Sequence, residues 1–299
     1  MRRAGHPFAA EGALVLAAFF FGVTFVLVQD AIEDITPTGY ITLRFLIGTA
    51  ALAPFAYRIA RRKHEPTGLL WSAGTIAGLL LFAGYITQTV GLQYTESSTS
   101  AFITGLYVVF TPIVEAVVRR RLPPVAVCVG IVIATLGLFM LTGAELALGR
   151  GELLTLVCAL SFAVWIVYQG AYANRLDTIP FTTVQMAVLA LVSIPPTAAT
   201  GIGELTGLAV FAAAFTGIAC SSGALSLQLY GQRRVSPSRA ALILLMEPVF
   251  AGVAGYLAGE RLGAVKLAGA MVILVGIAIA EVGPVRPREE QDAPEVATS

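Results

Sequence analysis

Val109-Phe110-Thr111-Pro112 opens a stretch that closes on Arg121-Leu122, and about 140 residues later Val249-Phe250 opens one that closes on Arg261-Leu262. The two align without a gap. The same offset lays Phe25-Val26-Leu27-Val28-Gln29 on Trp165-Ile166-Val167-Tyr168-Gln169, and a slip of one residue superposes Gly130 and Gly137 on Gly269 and Gly276. The chain reads as one five-helix hydrophobic unit written twice. Five is odd, so a second copy joined in line enters a bilayer upside down relative to the first. Inverted repeats of this kind surround a midplane site in many secondary transporters.

Composition sets the solvent. Hydrophobic residues make up 57% and charged residues 12%, with a mean hydropathy of +0.82. An ordinary soluble domain carries roughly 25% charged residues. There is too little polar material here for a water-facing surface, so lipid tails must be the outer solvent. The expected fold is an all-α integral membrane protein, with ten transmembrane helices in two inverted five-helix repeats around a central cavity.

Ten apolar stretches approach the length that crosses ~30 Å of hydrocarbon at 1.5 Å per residue. They lie near 12–28, 38–58, 69–90, 97–118, 124–142, 152–171, 179–199, 205–228, 236–258 and 263–282. Residues 12–142 form the first repeat and 151–282 the second. The tail 284–299, rich in Pro, Glu and Asp, reads as a disordered cytoplasmic segment. Met1-Arg2-Arg3 followed by an apolar run resembles a signal peptide but lacks a small-residue cleavage site, so it reads as an uncleaved first helix.

Charge orients the bundle. With ten spans and the amino terminus inside, the inner segments hold Arg58, Arg61, Arg62, Lys63, Arg119, Arg120, Arg121, Arg233, Arg234 and Arg239 among others, and the outer ones only Arg150, Arg261 and Lys266. Lys and Arg concentrate on the cytoplasmic side. The expected placement is the cytoplasmic (inner) membrane, multi-pass, with both termini cytoplasmic. The basic clusters have this topological explanation and, at net charge +1, call for no nucleic acid. A minor role for residues 58–63 is contact with anionic lipid.

Several chemistries are absent. Cys128, Cys158 and Cys220 stand alone in apolar spans and read as small buried residues. His6 and His64 are the only histidines, which excludes HExxH zinc sites and His-based dyads in the membrane. Neither a Walker A loop nor a GxSxG elbow occurs. No catalytic residue, metal site or cofactor is expected, and the chain reads as a non-enzyme.

Local strings carry a family likeness. These are Phe21-Gly22-Val23-Thr24-Phe25, Arg44-Phe45 after Pro37, and Tyr94-Thr95-Glu96-Ser97-Ser98 leading into residues 101–112. The second half adds Met246-Glu247-Pro248-Val249-Phe250 and Gly259-Glu260-Arg261-Leu262. Together, over roughly residues 12–282, they resemble the EamA-type transporters of the drug/metabolite transporter superfamily. The resemblance implies a ten-helix basket whose cavity is lined by the first, third and fourth helices of each half. It implies fifth helices set to the side, where they support dimerisation, and export of amino acids, including aromatic ones, or of related metabolites or cationic drugs. Arg119-Arg120-Arg121 departs from the Gly-Glu-Arg ending of the second repeat.

A charge inside a bilayer costs about 2.5–3.5 kcal/mol even on the lenient insertion scale, so each asks for a reason. Arg44 and Glu247 fall at similar depth. They make either a structural ion pair that fixes packing, or a functional site in which one of them meets a substrate's charged end or Glu247 takes up a proton during the cycle. Glu115 sits one turn before Arg119, and an i,i+4 salt bridge accounts for it. Pro112 and Pro248 remove backbone hydrogen bonds and are candidate kinks of the fourth helices. Phe21 and Thr24, Tyr85 with Gln88, Tyr107, Trp165 with Tyr168, and Ser222 are candidate binding or gating residues, since small-molecule sites join apolar walls to a few polar groups. The same aromatic residues also serve as interface anchors. The Gly255–Gly259 spacing serves internal packing or a homodimer.

The reading is a secondary transporter that exports small amino-acid-like metabolites by alternating access without ATP. Its partners are a small-molecule substrate and the lipid bilayer. Uptake or facilitated diffusion of another metabolite or drug cation is the alternative within transport; a membrane enzyme or lipid-handling protein is the alternative outside it.

Overall fold

The computed structural model describes residues 8–23, 27, 31, 34–95, 97–120, 122–143, 149–257 and 263–282. Thr24, Gly259 and the tail 284–299 lie outside them. The first half holds α1 (Ala9–Val23), α2 (Pro37–Lys63), α3 (Thr67–Gly91), a broken α4 (Ser97–Gly105 and Tyr107–Arg119) and α5 (Val125–Thr142). The second holds α6 (Arg150–Tyr172) and α7 (Thr178–Thr200). In α8 a π-helical turn, Gly217–Ala224, joins Gly207–Thr216 to Leu225–Gly231. A broken α9 (Pro237–Leu244 and Glu247–Leu257) and α10 (Ala264–Val282) follow. Among the described residues, eight helical stretches are long and apolar enough to cross a membrane, with shorter apolar helices at Ala9–Val23 and Ala264–Ala280.

Helix starts follow local chemistry. Thr36, Asp177, Thr206 and Ser236 sit in extended backbone and accept a hydrogen bond from a first-turn amide, satisfying donors that a helix leaves orphaned. Pro37 and Pro237 open α2 and α9, where a missing N–H costs nothing. Pro180 lies in the first turn of α7 for the same reason.

The packing partners repeat between halves. α3 packs on α6 and α7 as α8 packs on α1 and α2; α4 packs on α6 as α9 packs on α1; α2 meets α7, and α5 meets α10. The α2–α7 seam is polar: the Thr42 hydroxyl lies 2.8 Å from both Ser193 and Thr197, and Thr38 lies 2.7 Å from Thr200. Between helices in lipid, hydroxyls of this kind supply cohesion that apolar faces lack. The α5–α10 contact is a close crossing in which Gly130 abuts Gly276 and Gly137 abuts Gly269. The seven-residue glycine spacing of both repeats is thus one interface seen from both sides, and it is internal to the chain.

Glu115 makes the expected bridge to Arg119, Nε to Oε1 at 3.4 Å. It also accepts hydrogen bonds from the backbone amide of Ser238, at 2.9 Å, and from the Ser238 hydroxyl. The carboxylate therefore caps the first turn of α9 from α4. Glu115→Ala is expected to lower stability by about 1–2 kcal/mol, the usual cost of losing an N-terminal cap, with Glu115→Gln losing less. Thermal melts of the detergent-solubilised variants check this.

Candidate functional site

The break in α9 comes at Leu245-Met246, and Pro248 explains it. Without an N–H it cannot bond the carbonyl of Leu244, so the helix restarts at Glu247 with proline in its first turn. α4 breaks at the corresponding place, Leu106, directly after Gly105. Pro112 lies inside the second part of α4, not at its break. The two restarts place Tyr107 and Glu247 at corresponding points of the two halves, and both side chains face one cavity.

That cavity encloses about 150 Å³, below the ~300 Å³ lower end of drug-sized pockets. A small solute suits it in this conformation. Seven of the sequence candidates line it: Phe21, Arg44, Tyr85, Gln88, Tyr107, Trp165 and Glu247. Thr24 lies outside the described residues. Tyr168 is turned away and packs on Tyr172, with ring centroids 5.1 Å apart. Ser222 is not on the wall either. Its hydroxyl donates to the carbonyls of Gly48 and Gly217, at 2.8 and 3.1 Å, and ties α2 to the π-turn of α8.

Arg44 is buried where α2 crosses that π-turn. A Cβ on Gly217 would lie 2.5 Å from the Arg44 carbonyl, so only glycine lets the two backbones meet so closely. Nε of Arg44 donates to the Ser221 hydroxyl at 2.9 Å. The guanidinium lies 5.3 Å from the Tyr85 ring centroid and 5.4 Å from that of Phe45, within cation–π range. These contacts stabilise the charge without neutralising it. The ion pair between Arg44 and Glu247 raised by the sequence is not formed. Among the described residues Glu247 has no hydrogen-bond or ion-pair partner, although it shares the cavity with Arg44.

An aromatic wall completes the site. Phe45, Tyr85 and Phe162 meet edge to face, with centroids 5.1 and 5.4 Å apart. Trp165 follows Phe162 at 6.4 Å and donates Nε1 to Gln185 Oε1 at 2.8 Å, which fixes the indole. Sequence reading missed Tyr40, Phe45, Phe162 and Gln185. Tyr40 had a signal, being one turn before Arg44. Gln185 had none, because its role depends on α7 lying against α6. No cluster of three or more His, Cys, Asp or Glu residues suited to a metal occurs among the described residues.

Comparison with known proteins agrees with this architecture. A relative named "Uncharacterized transporter" from Archaeoglobus fulgidus is 29% identical over 272 residues, covering 90% of this chain and 85% of its own. A Bacillus subtilis protein, also named an uncharacterized transporter, is 25% identical over 291 residues, covering 89% of this chain and 90% of its own. A chloroplastic WAT1-related protein of Arabidopsis thaliana is 24% identical, covering 89% of this chain and 68% of its own. One solved crystal structure shares the fold with a TM-score of 0.74 at 17% identity, over 89% of this chain and 94% of that one. The family described as the EamA-like transporter family matches twice, at residues 9–143 and 149–281. With its repeated helical unit and its apolar multi-pass architecture, the chain belongs to the EamA-like transporter family and is a membrane transporter of the drug/metabolite superfamily.

Proposed function

We propose that this transporter exports small zwitterionic metabolites, amino acids first among them, by alternating access around the Arg44–Glu247 cavity. The carrying observation is that one buried cation and one unpartnered carboxylate face the same small space without pairing. A zwitterion brings an anionic and a cationic end, and would satisfy both groups at once. Arg44 presents a planar fork suited to a carboxylate; Glu247 suits an ammonium group. The aromatic wall takes the side chain.

The correspondence of packing partners between halves supports the inverted-repeat reading. Exchanging the two repeats would turn a site open on one side into one open on the other. The inner membrane and cytoplasmic termini follow from the Lys/Arg asymmetry. Glu247 also supports a proton-coupled cycle, in which the carboxylate exchanges a proton for the substrate's ammonium group.

Counterflow of labelled amino acids in proteoliposomes tests the reading, with purines and organic cations as rivals. Trp165→Ala is expected to weaken amino-acid affinity by about tenfold, on the scale of a core side chain contributing 1–2 kcal/mol. Unchanged affinity and flux would make the aromatic wall purely structural. Transport of only cations or only purines would sink the zwitterion assignment. A flux that ignores a pH gradient, with Glu247→Gln unaffected, would remove proton coupling.

A further inference from the structure

A second cavity, about 760 Å³ in volume, shares no lining residue with the transport site. It is a crevice between the last four turns of α2 and the opening turns of α3 and α7. Ala53, Ala56 and Ala60 form its α2 wall, and Val184 and Ala187 of α7 close the other side. From Thr49 at the deep end to His64 at the mouth, α2 rises about 22 Å at 1.5 Å per residue. That equals one leaflet of a bilayer whose full thickness is about 40–45 Å with headgroups. The crevice is therefore as long as a single lipid and lined with small residues along that length.

The mouth is polar and carries two unmatched charges. Arg61 donates to the Tyr57 hydroxyl at 3.2 Å, and its guanidinium stacks 5.6 Å from the same ring. It does not pair with Glu65, one turn on. Glu65 Oε2 is buried without a hydrogen-bond partner, as is Thr49 Oγ1 at the deep end. The neighbouring Lys63 pairs with Asp177 and with neither of these groups. Trp71 and Tyr57 flank the mouth, the residue types that settle at headgroup level.

We infer that this crevice is a binding site for one aminophospholipid, whose acyl chain runs along Ala53–Ala60 and whose headgroup sits between Arg61 and Glu65. The phosphate meets the Arg61 guanidinium, and the ammonium of an ethanolamine head meets the buried Glu65 oxygen. A purely anionic headgroup would leave the carboxylate unmatched. A choline head carries no N–H to donate to it. The site lies apart from the transport cavity, and this assignment is independent of the substrate proposed above.

The chain has two tryptophans, so a Trp165→Phe background leaves Trp71 at the crevice as the sole reporter. The protein is reconstituted in phosphatidylcholine vesicles, and brominated-chain phosphatidylethanolamine, phosphatidylglycerol or phosphatidylcholine is added at equal mole fraction. The ethanolamine lipid is expected to quench Trp71 roughly threefold to fivefold more effectively than the choline lipid, the scale of an interfacial ion pair. Glu65→Gln should bring it down to the choline level. Ala56→Phe, which fills the crevice, should lower quenching by all three lipids. Equal quenching by the ethanolamine and choline lipids in the parent overturns the proposal, as does a preference that survives Glu65→Gln. A preference for phosphatidylglycerol would reassign the crevice to anionic lipid and overturn the ammonium contact.

Discussion

Arg44→Gln is expected to weaken binding of amino-acid probes by roughly thirtyfold or more, because removing one partner of a buried charge contact costs about 2 kcal/mol at the low end. The glutamine keeps a hydrogen-bond donor for Ser221 but loses the charge and the fork. Arg44→Lys keeps the charge and loses the fork, so an intermediate loss is expected. Glu247→Gln makes the complementary test. Its affinity for an amino acid should fall by about tenfold while that for the same carboxylic acid without its amino group stays level. Equilibrium binding with both probes on monodisperse protein checks all three. If Arg44→Gln binds as the parent does, the cavity cation is structural and the zwitterion assignment fails.

Gly137→Leu is expected to abolish recovery of folded protein. A Cβ at Gly137 would sit 2.6 Å from the backbone nitrogen of Ile273 and 2.7 Å from the Gly269 carbonyl; one at Gly269 would meet the Leu141 nitrogen at 2.5 Å. Backbone atoms cannot rotate away, so the helices must part and the crossing is lost. Gly137→Ala and Gly269→Ala, being smaller, should each cost about 1–3 kcal/mol, the range for overpacking. Gly68→Ala is the control, since a Cβ there meets nothing within 4 Å. Thermal aggregation followed by size-exclusion chromatography separates the cases. If Gly137→Ala melts together with Gly68→Ala, α5 and α10 do not cross as described.

Most helices were legible from the sequence because the lipid solvent imposes one rule on all of them. A stretch that crosses hydrocarbon must be apolar and must satisfy its own backbone. The expected span 38–58 became Pro37–Lys63, one residue longer at its start and five at its end, and 179–199 became Thr178–Thr200; Thr36 and Asp177 cap the two starts. The breaks were harder to read. Pro248 marks one correctly, but the α4 break sits at Leu106, where no proline stands, and Pro112 rides inside the helix that follows. The eight-residue π-turn in α8 carries no periodicity signal at all.

The site divided along the same line. Arg44, Glu247, Tyr85 and Trp165 stood out because a charge, or a polar aromatic ring, deep in an apolar span is costly and needs a reason. Ser222 stood out on the same grounds, yet its hydroxyl turns to the Gly48 carbonyl and braces two helices. Residue type alone cannot separate these outcomes, since a hydroxyl serves backbone and solute equally well.

The sequence by itself determined that this chain is a doubled helical membrane transporter, because hydropathy and repetition are local, additive properties of the chain. Only the tertiary structure decided that Arg44 leans on Ser221 and two aromatic rings, leaving Glu247 unpaired across a shared cavity. That outcome depends on how closely α2 approaches the π-turn of α8 and on where α9 breaks. The break follows locally from Pro248, but the approach is set by contacts between residues about 170 to 180 positions apart, which periodicity along the chain does not encode.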